Sequence, residues 1–191
     1  MYIITEYCED GDLYHYLEKE HRLPESKAKR YLKQIMKGSK YLHSNGIIHR
    51  DLKPANILMK DNCCKISDFG FAKSLEDENT VMKSIVGTPL YMSPQILKKS
   101  KYTAKSDLWS IGLIYYEMLH GRTPWPASNE MQLLNGIYTR KVTFNKDISE
   151  TSKDFIKKCL EINEEDRVGW EEAFEHPLLK EPKAVKPLTI K

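Results

Sequence analysis

The sequence has 191 residues, 40% of them hydrophobic, with 30 Lys and Arg against 27 Asp and Glu. That is enough apolar content for one domain with a real core, and the interspersed charges leave no nucleic-acid footprint. The longest uncharged stretch is far too short to cross a bilayer, and the start, MYIITEYCEDGD, lacks the basic residues of a signal peptide.

Cys8, Cys63, Cys64 and Cys159 contain no CxxC pair. A reduced protein of the cytoplasm, or of the nucleus, is therefore expected rather than a disulfide scaffold or a zinc site.

In chain order, MYIITEYC reads as a β-rich strand running into a turn at Gly11, after which Asp12 can cap a short helix through Glu18. From Pro24 to Ser44, Ala28, Tyr31, Leu32, Ile35, Met36, Tyr41 and Leu42 recur at helical spacing, and Asn45-Gly46 is the stop. Two short strands, Ile57 to Lys60 and Cys64 to Ser67, follow, joined by a turn at Asp61-Asn62. Residues 68 to 95 show no sustained periodicity and read as a long loop, a length that usually accompanies function.

Beyond residue 100 the pattern is helical. Thr103 to Leu119 is apolar on nearly every side, as for a helix buried mid-domain, and Gly121 ends it. Shorter helices are predicted at Glu130 to Tyr138, Thr151 to Leu160 and Trp170 to Phe174. The last segment, KEPKAVKPLTIK, reads as a basic tail or linker.

The chemistry concentrates in HRDLKPANIL, residues 49 to 58, and in ISDFG, residues 66 to 70. Phosphoryl transfer needs a group to orient the attacking hydroxyl, oxygen ligands for magnesium and cations to offset developing charge. The two motifs contain all three. Together they resemble the catalytic loop and DFG segment of eukaryotic Ser/Thr protein kinases. The resemblance continues through GTPLYMSPQ, SDLWSIG and EDRVGWEEAFEHPLL, and covers residues 2 to about 180. DFGFAK, HSNGIIHRDLKP and DLWSIG look most like the kinase group that includes the autophagy-initiating kinases, with calcium/calmodulin-type and polo-type kinases as poorer fits.

The resemblance implies a role for each residue. Asp51 would orient the substrate hydroxyl, Lys53 would meet the γ-phosphate of ATP, and Asn56 and Asp68 would hold Mg2+, with His49 and Phe69 as packing parts. Glu6 and Cys8 would present hinge backbone to the adenine, and Thr5 would be the gatekeeper. Asp12 would lie near the ribose, Leu58 would form part of the adenine floor, and Ser67 would belong to the nucleotide side. From the residues alone, Asp12 is equally a helix N-cap.

Thr88 would bond the catalytic Asp and Lys, and Ser84, then Thr80, would accept an activating phosphate. That phosphate would come from an upstream kinase or by autophosphorylation, and Arg50 with Lys73 would receive it. Asp107 would anchor the catalytic loop. Arg167 would pair with the Glu of an APE motif, but SPQ puts Gln95 there, which brings the rigidity of the activation segment into question.

The fold implied is α+β, mainly α-helical, a protein-kinase-like C-lobe without the N-lobe β-sheet and its helix. Residues 1–8 would be the last N-lobe strand and hinge, 9–180 the C-lobe and 181–191 the tail. No glycine-rich loop, strand lysine or partner glutamate occurs in the sequence. The chain alone is accordingly expected to be inactive, although its family acts on Ser/Thr of protein substrates. The alternatives are a kinase-derived binding or scaffold module and, more weakly, a small-molecule phosphotransferase. No nucleic-acid partner and no membrane span are expected.

Overall fold

A computed structural model of the chain describes residues 2, 4–74 and 89–180. Asp12 caps helix α1 (Leu13–Glu20), its side chain accepting from the His15 N–H, and Leu13 and Leu17 face inward one turn apart. Pro24 sets the entry to α2 (Glu25–Ser44), where Ala28, Tyr31, Leu32, Ile35, Met36 and Ser39 form the buried stripe. The Asn45 N–H closes this helix on the Tyr41 and Leu42 carbonyls. Each fully buried Leu or Ile on such a stripe contributes about 1.5–3 kcal/mol relative to exposure.

After α2, β1 (Ile47–Ile48) leads into the loop that holds residues 49 to 53, and a 3₁₀ turn spans Pro54–Asn56. β2 (Ile57–Lys60) and β3 (Cys63–Ile66) form an antiparallel hairpin in the register Ile57↔Ile66 and Lys60↔Cys63. Its turn residues Asp61 and Asn62 have φ of 50° and 60°, a pairing suited to a two-residue turn between right-twisted strands. β4 (Lys73–Ser74) pairs antiparallel with β1, Ile48 opposite Lys73.

A 3₁₀ turn at Pro89–Tyr91 and the short α3 (Pro94–Leu97), capped by Ser93, precede α4 (Lys105–His120). α4 is the centre of the core, with Leu108, Trp109, Ile111, Ile114, Tyr115 and Met118 fully buried. α5 (Glu130–Thr139), α6 (Glu150–Cys159) and α7 (Trp170–Phe174) complete the chain order.

Two glycines are required by close approach. A Cβ on Gly112 would lie 2.6 Å from the Cys159 Cβ, so the α4 backbone packs directly on the Cys159 and Leu160 side chains there. Gly121 ends α4 at φ 73°, with the His21 carbonyl 2.4 Å from where a Cβ would be.

The fold is mainly helical with two small sheets among the described residues, in line with the mainly α-helical expectation. Two expectations change. The described residues of MYIITEYC form no strand, and Tyr2 and Ile4 are almost fully exposed. Strand propensity is realised only against a neighbour that accepts the ladder hydrogen bonds, and none pairs with these residues. The 68–95 stretch is also not featureless, since it holds β4, a 3₁₀ turn and α3. These pieces are set by pairing with β1 and packing near α4 and α5, which local periodicity does not report. Residues 75–88 and the proposed tail, 181–191, lie outside the described residues. No helix among the described residues is long and apolar enough to cross a membrane.

Candidate functional site

Asp107, buried in the first turn of α4, accepts the backbone N–H groups of His49 at 2.8 Å and Arg50 at 2.9 Å. These bonds hold the loop where Arg50 takes a positive φ of 68°, a conformation that costs a non-glycine residue free energy. Burial pushes the Asp107 carboxyl upward, opposed by the two amide donors and by the charge of Arg50.

His49, fully buried, links this loop to the next. Its Nδ1 accepts the Asp51 N–H at 3.3 Å and its Nε2 donates to the Ser67 carbonyl at 3.0 Å. That pair of bonds assigns the ring proton to Nε2. The ring also packs on Phe69, centroids 5.2 Å apart.

Asp51 sits in a cluster that its own loop builds. Lys53 Nζ lies 2.8 Å from Asp51 Oδ2. Asn56 Nδ2 donates to the same oxygen at 2.9 Å and to the Asp51 carbonyl at 2.8 Å. The Pro54–Asn56 turn is what brings Asn56 back over Asp51. The carboxylate is mostly buried, at 11% side-chain exposure, and its Oδ1 makes no hydrogen bond among the described residues. One oxygen is therefore clamped while the other has no partner among the described residues.

Asn56 shows the same division, its amide NH2 committed to Asp51 and its Oδ1 without a partner among the described residues. The Asn56 carbonyl accepts from the Ser67 N–H at 2.9 Å and the Ser67 hydroxyl at 3.1 Å, which fastens the 49–56 loop to the segment carrying Asp68. Asp68 is exposed at φ 61°, with Oδ1 accepting the Gly70 N–H at 3.2 Å. Asn56 and Asp68 thus contribute two hard oxygen donors. No group of three or more His, Cys, Asp or Glu among the described residues makes a complete metal cage. The arrangement suits magnesium, which takes one or two protein oxygens and fills its octahedron with water and phosphate.

Where the resemblance would put the nucleotide, Leu58 is half-buried in β2 and bridges to Asp12. Ile57 and Met59 alternate with it to face the core. Glu6 reaches the same hairpin through Lys65 at 3.0 Å and Lys60 at 3.4 Å, and the Lys65 and Lys60 bonds hold its carboxyl below the usual range. The Cys8 carbonyl accepts the Gly11 N–H at 3.3 Å, while Thr5 is exposed.

Asp12 uses both oxygens on the α1 cap, accepting the His15 N–H at 2.9 Å and meeting His15 Nδ1 at 2.8 Å. That contact raises the His15 pKa above its ordinary value. In this state the capping use of Asp12 occupies both oxygens that a ribose contact would need.

Arg50 Nε donates to the Phe71 carbonyl and Nη1 to the Tyr102 hydroxyl at 3.0 Å. Lys73 stands on β4 beside Ile48, two residues from Arg50. Thr80, Ser84 and Thr88 lie outside the described residues.

The Arg167 guanidinium is fully buried and donates to Gln95 Oε1 at 2.8 Å, the Glu161 carbonyl at 3.0 Å and the Lys105 carbonyl at 3.3 Å. Glu164 stands 3.6 Å away as a carboxylate counter-ion, and burial draws the Arg167 pKa down to about 10, still charged at neutral pH. Gln95 meanwhile donates its amide to the Ile162 carbonyl at 2.8 Å.

Three contributors to this framework were not evident in the sequence. Lys105 Nζ ties together the carbonyls of Glu164, Glu165 and Arg167. Glu164 supplies the counter-charge, for which its position three residues before Arg167 was the available signal. Tyr91 donates to Glu117 at 2.6 Å and so fixes the 3₁₀ turn to α4, a contact between distant segments that no local pattern announces.

Against families of known proteins, residues 1–179 match the protein kinase domain. Serine/threonine-protein kinase ATG1b of Arabidopsis thaliana is 41% identical over 187 residues, covering 94% of this chain and 26% of that protein. The atg1 kinase of Dictyostelium discoideum is 40% identical over 183 residues, 94% of this chain and 27% of its own length. Human ULK1 is 36% identical over 199 residues, 97% of this chain and 19% of its own. The chain thus spans about a quarter of the length of the first two relatives.

Proposed function

Since the chain belongs to the protein kinase family, as do its Ser/Thr kinase relatives of ATG1 and ULK type, we propose that its catalytic-loop cluster serves transfer of the ATP γ-phosphoryl group to Ser or Thr hydroxyls of proteins. The observation that carries this reading is the divided carboxylate of Asp51. Oδ2 is held by Lys53 and Asn56, and Oδ1, without a partner among the described residues, would accept the hydrogen bond of an incoming hydroxyl and orient its oxygen for attack.

Lys53, 2.8 Å from that carboxylate, brings positive charge to where negative charge develops on the transferred group. Asn56 Oδ1 and Asp68 would hold Mg2+, which when bound neutralises phosphate charge. His49 keeps the Asp51 and Asp68 segments in register through its two hydrogen bonds.

Arg50 and Lys73 are assigned to receive a phosphate on Ser84 or Thr80, added by an upstream kinase or by the protein itself. Thr88 is assigned to peptide-substrate positioning. The cytoplasm is the proposed location, for which four unpaired thiols speak.

These 191 residues contain no glycine-rich phosphate loop and no VAIK-like strand. We read them as the C-lobe side of the site, with negligible activity when assayed alone. The test replaces the matching segment of the Arabidopsis ATG1b kinase domain with residues 2–180. The chimaera should phosphorylate a protein substrate with magnesium and ATP, and Asp51→Ala should lower its rate by about 10²- to 10⁴-fold. A chimaera that folds but is inactive would refute the catalytic reading. Magnesium-dependent phosphorylation by the 191-residue chain alone, abolished by Asp51→Ala, would refute the proposed dependence on a second lobe.

A further inference from the structure

Helix α5 leaves large apolar side chains in solvent. Met131 is 81% exposed and Tyr138 48%, and they lie two turns apart on one face of the helix. Lys98, at the end of α3, holds its ammonium 4.2 Å from the Tyr138 ring centroid, so a cation frames the apolar face.

Beside this face runs a groove of about 410 Å³ between the end of α5 and α6. Trp125 and Ile137 line its apolar floor, and Arg140, Lys141 and Lys157 line it with positive charge against the single carboxylate of Glu161. The three cations form no ion pair among the described residues, and all are exposed. The wall is rigid where it matters. The Trp125 indole N–H donates to the Arg140 carbonyl at 2.9 Å, and Trp125 stacks on Trp109 of α4 with centroids 5.6 Å apart.

We propose that this groove and the adjoining α5 face dock an acidic peptide segment of another protein, with an apolar anchor side chain in the groove and carboxylates opposite Arg140, Lys141, Lys157 and Lys98. Charge complementarity selects an acidic occupant, because three unpaired cations surrounding one carboxylate repel a basic one. The apolar floor, with exposed Tyr138 in its lining and Met131 two turns along the same helix face, selects a peptide side chain over a simple polyanion, which gains nothing from burying hydrocarbon. Such a site would hold a substrate or regulator by a surface separate from the phosphotransfer cluster. It uses none of the residues assigned to catalysis and can fail without that reading failing.

The test is fluorescence anisotropy on the full 191-residue chain. The probe is a labelled Glu-rich peptide with leucines at helical spacing, and two controls are its Lys-rich counterpart and a Glu-rich peptide without leucine. The leucine-bearing acidic peptide should bind saturably and more weakly as salt rises. Charge reversal by Arg140→Glu with Lys141→Glu should weaken it at least about tenfold, as should Tyr138→Ala, since central aromatic anchors dominate such interfaces. Lys98→Glu provides a second charge variant outside the groove, and Asp51→Asn should bind like the parent.

Equal binding of either control peptide, or unchanged affinity after charge reversal in variants of native circular dichroism, overturns the proposal. So does sedimentation showing that the chain pairs with itself through this face and that Tyr138→Ala makes it monomeric, which would make a second copy the occupant.

Discussion

Replacing Asp107 by Asn tests the connection between the core helix and the catalytic loop. The carboxylate holds the His49 and Arg50 amides at 2.8 and 2.9 Å in a buried site. A hydrogen bond to a charged acceptor contributes about 1.5–3 kcal/mol, and an asparagine offers one oxygen while turning its NH2 toward the second donor. One bond is therefore lost and the other becomes neutral, weakening by about 1 kcal/mol. Relief of the carboxylate's desolvation offsets part of this, leaving a net loss of about 2–3 kcal/mol. With a urea m-value of about 2–3 kcal/mol per M for a chain this size, the unfolding midpoint should fall by about 1 M.

The loss should also be local. The His49 and Arg50 amides should exchange with solvent about 30- to 150-fold faster, the factor corresponding to that free energy. A midpoint within about 0.2 M of the parent, with unchanged exchange at both amides, would refute the view that Asp107 holds the loop.

Two further outcomes follow from buried polar contacts. Gln95→Ala removes one charge-assisted bond from Arg167 and one neutral bond to the Ile162 carbonyl. The Ile162 carbonyl, 3.4 Å from the same guanidinium, can move closer. The expected cost is about 2 kcal/mol, read as a lowered urea midpoint, and an unchanged midpoint would show that Glu164 and the carbonyls suffice. Burial holds the Glu117 carboxyl above its ordinary value of 4.5, opposed by the Tyr91 hydroxyl bond. A carboxyl that binds its proton more tightly when folded stabilises fully below 4.5, and that contribution is lost as pH rises through the folded value. Glu117→Gln removes this titration, so the melting temperature of the variant should gain on the parent between acidic and neutral pH. A constant gap across that range would contradict the burial argument.

The periodic elements were legible because their signals are local. The α2 stripe from Ala28 to Met36, the all-round apolar α4 and the Asp61-Asn62 turn each follow from residues a few positions apart. The Asp51, Lys53 and Asn56 cluster was visible for the same reason, since the three belong to one loop. What sequence could not supply was the outcome of competition between distant groups. MYIITEYC has strand composition but no strand partner, so it forms none among its described residues. Asp12 suits both a cap and a ligand contact, and the His15 contacts that occupy both its oxygens appear only in three dimensions.

The sequence by itself determined that this chain has the helical core and the acidic, amide and cationic groups that its kinase-like motifs bring into one loop. Tertiary structure alone decided which oxygen of Asp51 is clamped by Lys53 and Asn56, which carbonyls satisfy Arg167, and that Arg140, Lys141 and Lys157 line one groove. The physical reason is separation along the chain. Composition and spacing constrain neighbours within a few residues, whereas hydrogen-bond occupancy and surface charge depend on segments brought together only when α4 is buried.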